Sequence, residues 1–175
     1  LYAEVEGWEP SASLGGAGDD PAPAHRPVLD RWILSRLHGL VVEVDEALEG
    51  YQLTRAYRAV GDFLDGDLSN WYDDPADARA AFRTLWECLR TPSLLVAPVV
   101  PFHADWYHRA LTGGASAHLD RFPSHDPELR DLDLEAEMEA VRTLVRLGRA
   151  AREEASIRVR QPLRTLLAGV PGGIP

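Results

Sequence analysis

The sequence contains no lysine, one cysteine and one methionine, and it lacks a long uncharged apolar run. A single thiol excludes a disulfide scaffold and a cysteine-rich metal module, and it suits a reducing compartment. Without about 18 consecutive apolar residues the sequence predicts no membrane-spanning helix. The opening residues 1–6 also lack the pattern of a secretory signal peptide. We therefore expect a soluble, cytoplasmic protein with no membrane partner.

The chain is rich in apolar residues and carries an uneven charge. Its 175 residues are 45% hydrophobic, enough to form a sizeable core, and its formal net charge is −10. Residues 1–78 carry five arginines against sixteen acidic residues, whereas residues 79–175 carry thirteen arginines against twelve. Residues 142–164 alone hold seven arginines and two glutamates. The sequence thus predicts an acidic first half and a basic segment towards the C-terminal end.

Apolar residues recur with helical spacing after residue 28. A stripe from Ile33 to Ala47 steps by three or four residues and ends before Gly50, which predicts a first long helix. A second helix is predicted from about Leu53 to Trp71. It contains two glycines, so tertiary packing has to stabilise it.

Prolines mark the helices that follow. Asp74 and Pro75 have the cap-then-proline pattern of a helix start, and the apolar stripe of this third helix includes Leu85. The same pattern at Thr91 and Pro92 predicts a new helix or a sharp bend.

A short helix is predicted from Pro101 to the Gly113-Gly114 pair, followed by irregular chain and a last long helix over about residues 134–155. These patterns predict an all-α fold, a bundle of five or six helices with little or no sheet. We expect three parts: a trailing connector and a Gly- and Pro-rich linker over residues 1–27, the helical domain over 28–156, and the start of a further segment over 157–175.

Histidines and acidic residues do not predict an active site or a metal centre. His103 and His108 are five residues apart, a spacing that places them on different sides of a helix. His118 lies near Asp120, but no nucleophile occurs in a recognisable turn. Acidic residues at 62, 65 and 67 are interpreted as a solvated face. We expect no catalytic residues, no metal and no cofactor in this chain.

Arginines and aromatic residues do suggest a nucleic-acid surface. Arg142, Arg146 and Arg149 step by four and three and share one helix face, so they can neutralise successive phosphates. Ion pairing with nearby glutamates is the alternative. The wider set of candidate RNA contacts adds two aromatic residues that can stack on bases, or else pack in the core, and three further arginines: Trp71, Tyr72, Arg152, Arg158 and Arg160.

Five motifs occur in an order that resembles the anticodon-binding region of class I aminoacyl-tRNA synthetases. They lie at residues 30–37, 68–72, 97–102, 116–123 and 159–163. Asp-Arg-Trp at 30–32 and Ala-Pro-Val-Val-Pro-Phe at 97–102 are shared with valyl and leucyl enzymes. Leu-Ser-Asn-Trp-Tyr at 68–72 and Val-Arg-Gln-Pro-Leu at 159–163 resemble isoleucyl enzymes most closely.

The resemblance implies a helical bundle that grips the anticodon arm of an isoleucine-specific tRNA. The ATP- and Mg-dependent chemistry would lie in catalytic and editing domains of the same parent chain, because neither signature that positions ATP occurs here. The fragment itself would be monomeric. Anticodon-binding domains of valyl or leucyl enzymes, and a helical protein-interaction module that uses the acidic first half, are the alternatives. In isoleucyl enzymes the Asn-Trp-Tyr motif runs into a basic stretch, whereas Asp73 and Asp74 follow it here.

Overall fold

A computed structural model describes residues 8, 21–72, 78–158, 160–165, 167 and 169. Five α-helices occur in this part of the chain: α1 (Val28–Glu49), α2 (Leu53–Asp62), α3 (Ala78–Val96), α4 (Pro101–Thr112) and α5 (Leu132–Glu154). A π-helix, Phe63–Ser69, continues α2, and single 3-10 turns lie at Pro23–His25, Ala117–Leu119 and Pro127–Leu129. The described residues contain no strand, so the predicted all-α class is confirmed.

The chain divides into two compact units, Leu1–Asp131 and Leu132–Pro175. Helices α1 to α4 belong to the first unit and α5 to the second. The division falls inside the helical domain predicted over 28–156, and the predicted three-part organisation stays a prediction.

Helix α1 is the central element of the first unit and contacts α2, α3 and the π-helix. Its predicted stripe is buried, with Ile33 and Val44 fully inaccessible. The predicted end at Gly50 is confirmed, since the Gly50 amide donates to the Glu46 carbonyl over 3.1 Å. The left-handed residue, however, is Tyr51 with φ of 54°, which turns the chain into α2.

The second predicted helix changes its winding halfway. Helix α2 ends at Asp62, and the next two turns are π-helical. Wider turns place Phe63, Asp67 and Leu68 together on the buried side. Gly66, within this stretch, has a low α-helical propensity and therefore makes the departure from α geometry less costly.

Helix α3 runs without interruption through Pro92 to Val96, so the prediction that a new helix begins at Pro92 is wrong, and the alternative of a bend there stays a prediction. The predicted helix start at Asp74-Pro75 lies outside the described residues. The predicted stripe is also shifted, because Leu85 is 38% exposed while Arg83 and Thr84 are buried.

Helix α4 has the predicted ends. Pro101 begins it, and Gly113 ends it in the left-handed conformation with φ of 62°. Its small buried face is Ala104 and His108, whereas Phe102 is 91% exposed.

Candidate nucleic-acid interface

Two of the arginines predicted to bind phosphate lie open on α5. Arg146 and Arg149 are exposed, and within the described residues neither has an ion pair or a side-chain hydrogen bond. Arg142 is half-buried, with its Nε 3.9 Å from a carboxylate oxygen of Glu139. Arg142 is therefore engaged within the helix, and the open basic face of α5 is formed by Arg146 and Arg149.

Arg152 lies on the same helix, but its guanidinium binds the backbone of its own chain. Its Nη2 donates to the carbonyl oxygens of Arg158 and Gln161 over 2.6 and 2.5 Å. These bonds fasten the chain after α5 to the last helical turn. Arg158 and Arg160 are themselves exposed. The structure thus brings the predicted arginines onto one unit, and one of them has a structural role there.

The predicted aromatic pair lies in the other unit, at the end of the π-helical segment. Trp71 and Tyr72 are both half-buried. The Tyr72 hydroxyl donates to Asp30, which is 2% exposed. Burial, and then the hydrogen bond and charge of Asp30, raise the pKa of Tyr72 far above its usual value. The stacking role of both residues stays a prediction.

A second polar bridge joins the motif at residues 30–37 to the residue that immediately precedes the motif at 68–72. Arg36 donates from Nε to Asp67 over 2.9 Å. Asp67 is 3% exposed, so its interpretation as part of a solvated face is wrong, while Asp62 and Asp65 are exposed as predicted. The Asp-Arg-Trp and Asn-Trp-Tyr motifs therefore share an internal role: their neighbourhoods lock α1 to the π-helix.

The sequence patterns did not predict a charged network inside the first unit. Glu87 accepts from Arg83 over 2.8 Å and from Arg26 over 3.0 Å, and Arg26 also donates to Thr84 over 2.9 Å. Both arginines are more than nine-tenths buried. The spacing of four residues between Arg83 and Glu87 is the only sequence signal of this network.

The histidines and acids near α4 have structural partners. Asp105 accepts from the Ser116 hydroxyl, the Ala117 amide and Arg109 over 2.5 to 2.9 Å. The Ser116 bond is the main cause that lowers the pKa of Asp105. Burial lowers the pKa of His108, which lies 3.6 Å from Asp120. Across the described residues, no group of three metal-ligating side chains occurs.

A groove of about 820 Å³ lies between α1 and α2. Four arginines line it: Arg36, Arg55, Arg58 and Arg130. These arginines come from distant parts of a segment that is acidic overall, so the composition of the segment does not indicate a basic groove. The fold brings these arginines together, and their spacing along the sequence does not predict it. We call this cavity the basic groove. Elsewhere, no helix in the described part of the chain is long and apolar enough to cross a membrane.

Comparison with known proteins agrees with this architecture. Residues 30–167 match the family model of the anticodon-binding domain of tRNA ligase. The chain belongs to this family. The resemblance inferred from the motifs is therefore confirmed, and the helices described above are those of an anticodon-binding domain.

Relatives of this anticodon-binding domain are isoleucine–tRNA ligases. The chain is 46% identical to that of Thermobifida fusca and 44% identical to that of Streptomyces avermitilis, in each case over 98% of this chain and 17% of the relative. It is 40% identical to that of Thermus thermophilus over 86% of this chain. The chain spans about a sixth of the length of these relatives.

The relatives also carry residues that this domain lacks. The alignment with the Thermobifida enzyme runs over 187 positions, although it covers 98% of only 175 residues. The basic stretch expected after Tyr72 stays untested, because residues 73–77 lie outside the described part.

Proposed function

We propose that this domain binds isoleucine tRNA and positions it for ATP- and Mg-dependent isoleucylation by catalytic and editing domains of a longer polypeptide. The observation that carries the proposal is the open arginine face of α5 in a domain whose relatives are isoleucine–tRNA ligases. In this role the chain supplies recognition, and bond formation takes place elsewhere.

The chemistry of the face suits a sugar-phosphate backbone. Guanidinium groups donate in a planar fork that matches phosphate oxygens, and they keep their charge at all physiological pH values. Arg146 and Arg149 lie three residues apart and can engage neighbouring phosphates. Such contacts give affinity and register, and they make binding salt-dependent.

A titration of the 175-residue chain with an isoleucine tRNA transcript tests the proposal. Binding is followed by fluorescence anisotropy between roughly 50 and 200 mM salt, the range over which phosphate contacts weaken measurably. We expect the double variant Arg146→Ala/Arg149→Ala to bind more weakly. The slope of log Kd against log salt falls by nearly one per lost phosphate contact, about two for the pair.

Arg121→Ala is the matched control, because Arg121 is also exposed but lies in the other unit. Its Kd and salt slope are expected to stay at the wild-type values. Equal binding of an unrelated tRNA would refute isoleucine specificity while leaving RNA binding intact. Absence of salt-dependent binding by the wild-type chain would refute the recognition role itself.

A further inference from the structure

The basic groove defined above, lined by Arg36, Arg55, Arg58 and Arg130, lies wholly within the first unit and shares no residue with the arginine face of α5. Its arginines come from α1, from α2 and from the chain that precedes α5. The acidic side chains that line the groove are Glu43 and Asp62. Arginine thus outnumbers carboxylate on its walls, although the surrounding segment is acidic.

The ion pairs of Arg55 in the groove are weak enough to be exchanged for a ligand. Arg55 lies 3.6 Å from Glu43 and 3.9 Å from Glu46, and all three side chains are about half exposed. Exposed pairs of this length contribute little to stability. Arg58 is exposed and has no ion pair or side-chain hydrogen bond within the described residues. Two guanidiniums on neighbouring turns of α2 are therefore available to an anion.

Arg130 reaches the groove because α1 carries a glycine where the two approach. A Cβ at Gly39 would lie 2.4 Å from Nη1 of Arg130, so a side chain there would force this guanidinium to move. The absence of a side chain at Gly39 thus lets this guanidinium lie against the α1 backbone. Residues of α1, residues 51–63 and Arg130 thus form the groove together.

An aromatic residue stands at the groove's edge. Tyr51 lines the groove and is 92% exposed, and its positive φ is unusual for a residue other than glycine, asparagine or aspartate. An exposed ring beside arginines is the arrangement with which proteins hold unpaired nucleotides: the ring stacks on a base and the arginines bind the adjoining phosphates.

We infer that the basic groove is a second RNA-binding surface, which holds the sugar-phosphate backbone of the tRNA with Arg55, Arg58 and Arg130 and stacks an unpaired base on Tyr51. The inference rests on the proposed tRNA-binding function and extends it to a surface that the motifs do not mark. Arg36 also lines the groove but is held by Asp67, so it is not counted among the phosphate ligands.

The test uses the full 175-residue chain, an isoleucine tRNA transcript and the same anisotropy titration. Arg58→Ala is expected to weaken binding roughly five- to tenfold near 0.1 M salt and to lower the salt slope by about one. Tyr51→Asn removes the ring but tolerates the left-handed backbone, and it is expected to weaken binding roughly fivefold or more with the salt slope unchanged. Glu43→Gln removes a competing carboxylate and is expected to tighten binding.

Arg121→Ala again serves as the matched control, and thermal unfolding of each variant confirms that the fold is kept. If the wild type binds and Arg146→Ala/Arg149→Ala weakens binding, but Arg58→Ala and Tyr51→Asn leave Kd unchanged, the groove is excluded and the proposed function stands. If the wild type shows no salt-dependent binding, both fall together. Tighter binding by Glu43→Gln is a result that a purely structural role of the groove would not produce.

Discussion

At the scale of single residues, the Tyr72 hydroxyl donates to a carboxylate that has almost no access to water. Asp30 is 2% exposed, so the loss of one donor leaves its charge less well solvated. We expect Tyr72→Phe to lower the free energy of unfolding by about 1–3 kcal/mol. Urea-induced unfolding followed by circular dichroism at pH 7 measures the change.

Tyr107→Phe is the control for this substitution. Burial raises the pKa of Tyr107 as well, but its hydroxyl has no hydrogen bond to any described residue. A stability change below about 0.5 kcal/mol is expected there, as for other substitutions that remove no specific interaction. Equal effects of the two substitutions would show that the bond to Asp30 does not stabilise the fold.

His108 makes the free energy of unfolding vary with pH in the mildly acidic range. Burial is the main cause that lowers its pKa below 6.5, and the charge of Arg90 adds to it, while Asp120 and Asp105 act in the opposite direction. The unfolded chain then binds more protons than the folded chain below about pH 6.5. The contribution of neutral His108 to the free energy of unfolding is therefore fully present above that pH. It is lost as the pH falls through the lower pKa of the folded state.

We expect the free energy of unfolding to fall between about pH 7 and pH 5, and His108→Gln to flatten this dependence. Urea titrations at half-unit pH steps measure it. His38, whose pKa is also lowered by burial, contributes in the same window, so His38→Gln is the companion variant. An unchanged pH profile in both variants would contradict the assignment.

At the scale of elements, Glu87 joins α3 to the chain that leads into α1. It is the shared acceptor of Arg26 and Arg83, whose side chains are 3% and 2% exposed. We expect Glu87→Ala to destabilise the fold by about 3–5 kcal/mol, because two buried guanidiniums lose the carboxylate that they share. Thermal or urea unfolding measures the loss.

The control is Glu43→Ala, which removes an exposed carboxylate near Arg55 and should change stability by less than about 1 kcal/mol. Glu87→Gln keeps the shape and removes the charge, so an intermediate loss is expected. If Glu87→Ala costs no more than Glu43→Ala, the network does not hold α3 in place.

Sequence patterns predicted helix ends where these depend only on neighbouring residues. Gly50 and Gly113 end helices α1 and α4 as predicted, because helix termination needs only nearby backbone groups. The continuation through Pro92 and the π-helix after Asp62 were not predictable in this way. Both depend on packing against other helices, which outweighs local propensity.

The same limit applies to the candidate RNA-binding surfaces: residues on one helix could be grouped from the sequence, and residues from distant segments could not. The spacing of Arg146 and Arg149 along one helix indicates a shared face directly. The basic groove joins Arg58 on α2 to Arg130 ahead of α5, and periodicity carries no information about contacts at that separation. Arg152 shows the converse: it belongs to the row by spacing, but its guanidinium binds carbonyls of its own chain.

At the scale of the whole molecule, the apolar core is distributed unequally between the two units. Every buried apolar side chain of the described residues except Leu134 lies before residue 132. Burial of apolar area is the main source of folding free energy. The first unit therefore holds the interactions needed for a cooperative fold, while α5 supplies most of the predicted phosphate contacts.

A truncation after Asp131 separates these contributions. We expect the shortened chain to keep a single cooperative unfolding transition, because its core stays complete, and to lose only the helical circular dichroism signal of α5. We expect its affinity for isoleucine tRNA to fall, since Arg146 and Arg149 are removed, while the remaining binding becomes sensitive to Arg58→Ala. Unfolding of the shortened chain would show that α5 is needed for stability. Affinity equal to that of the full chain would place recognition entirely in the first unit.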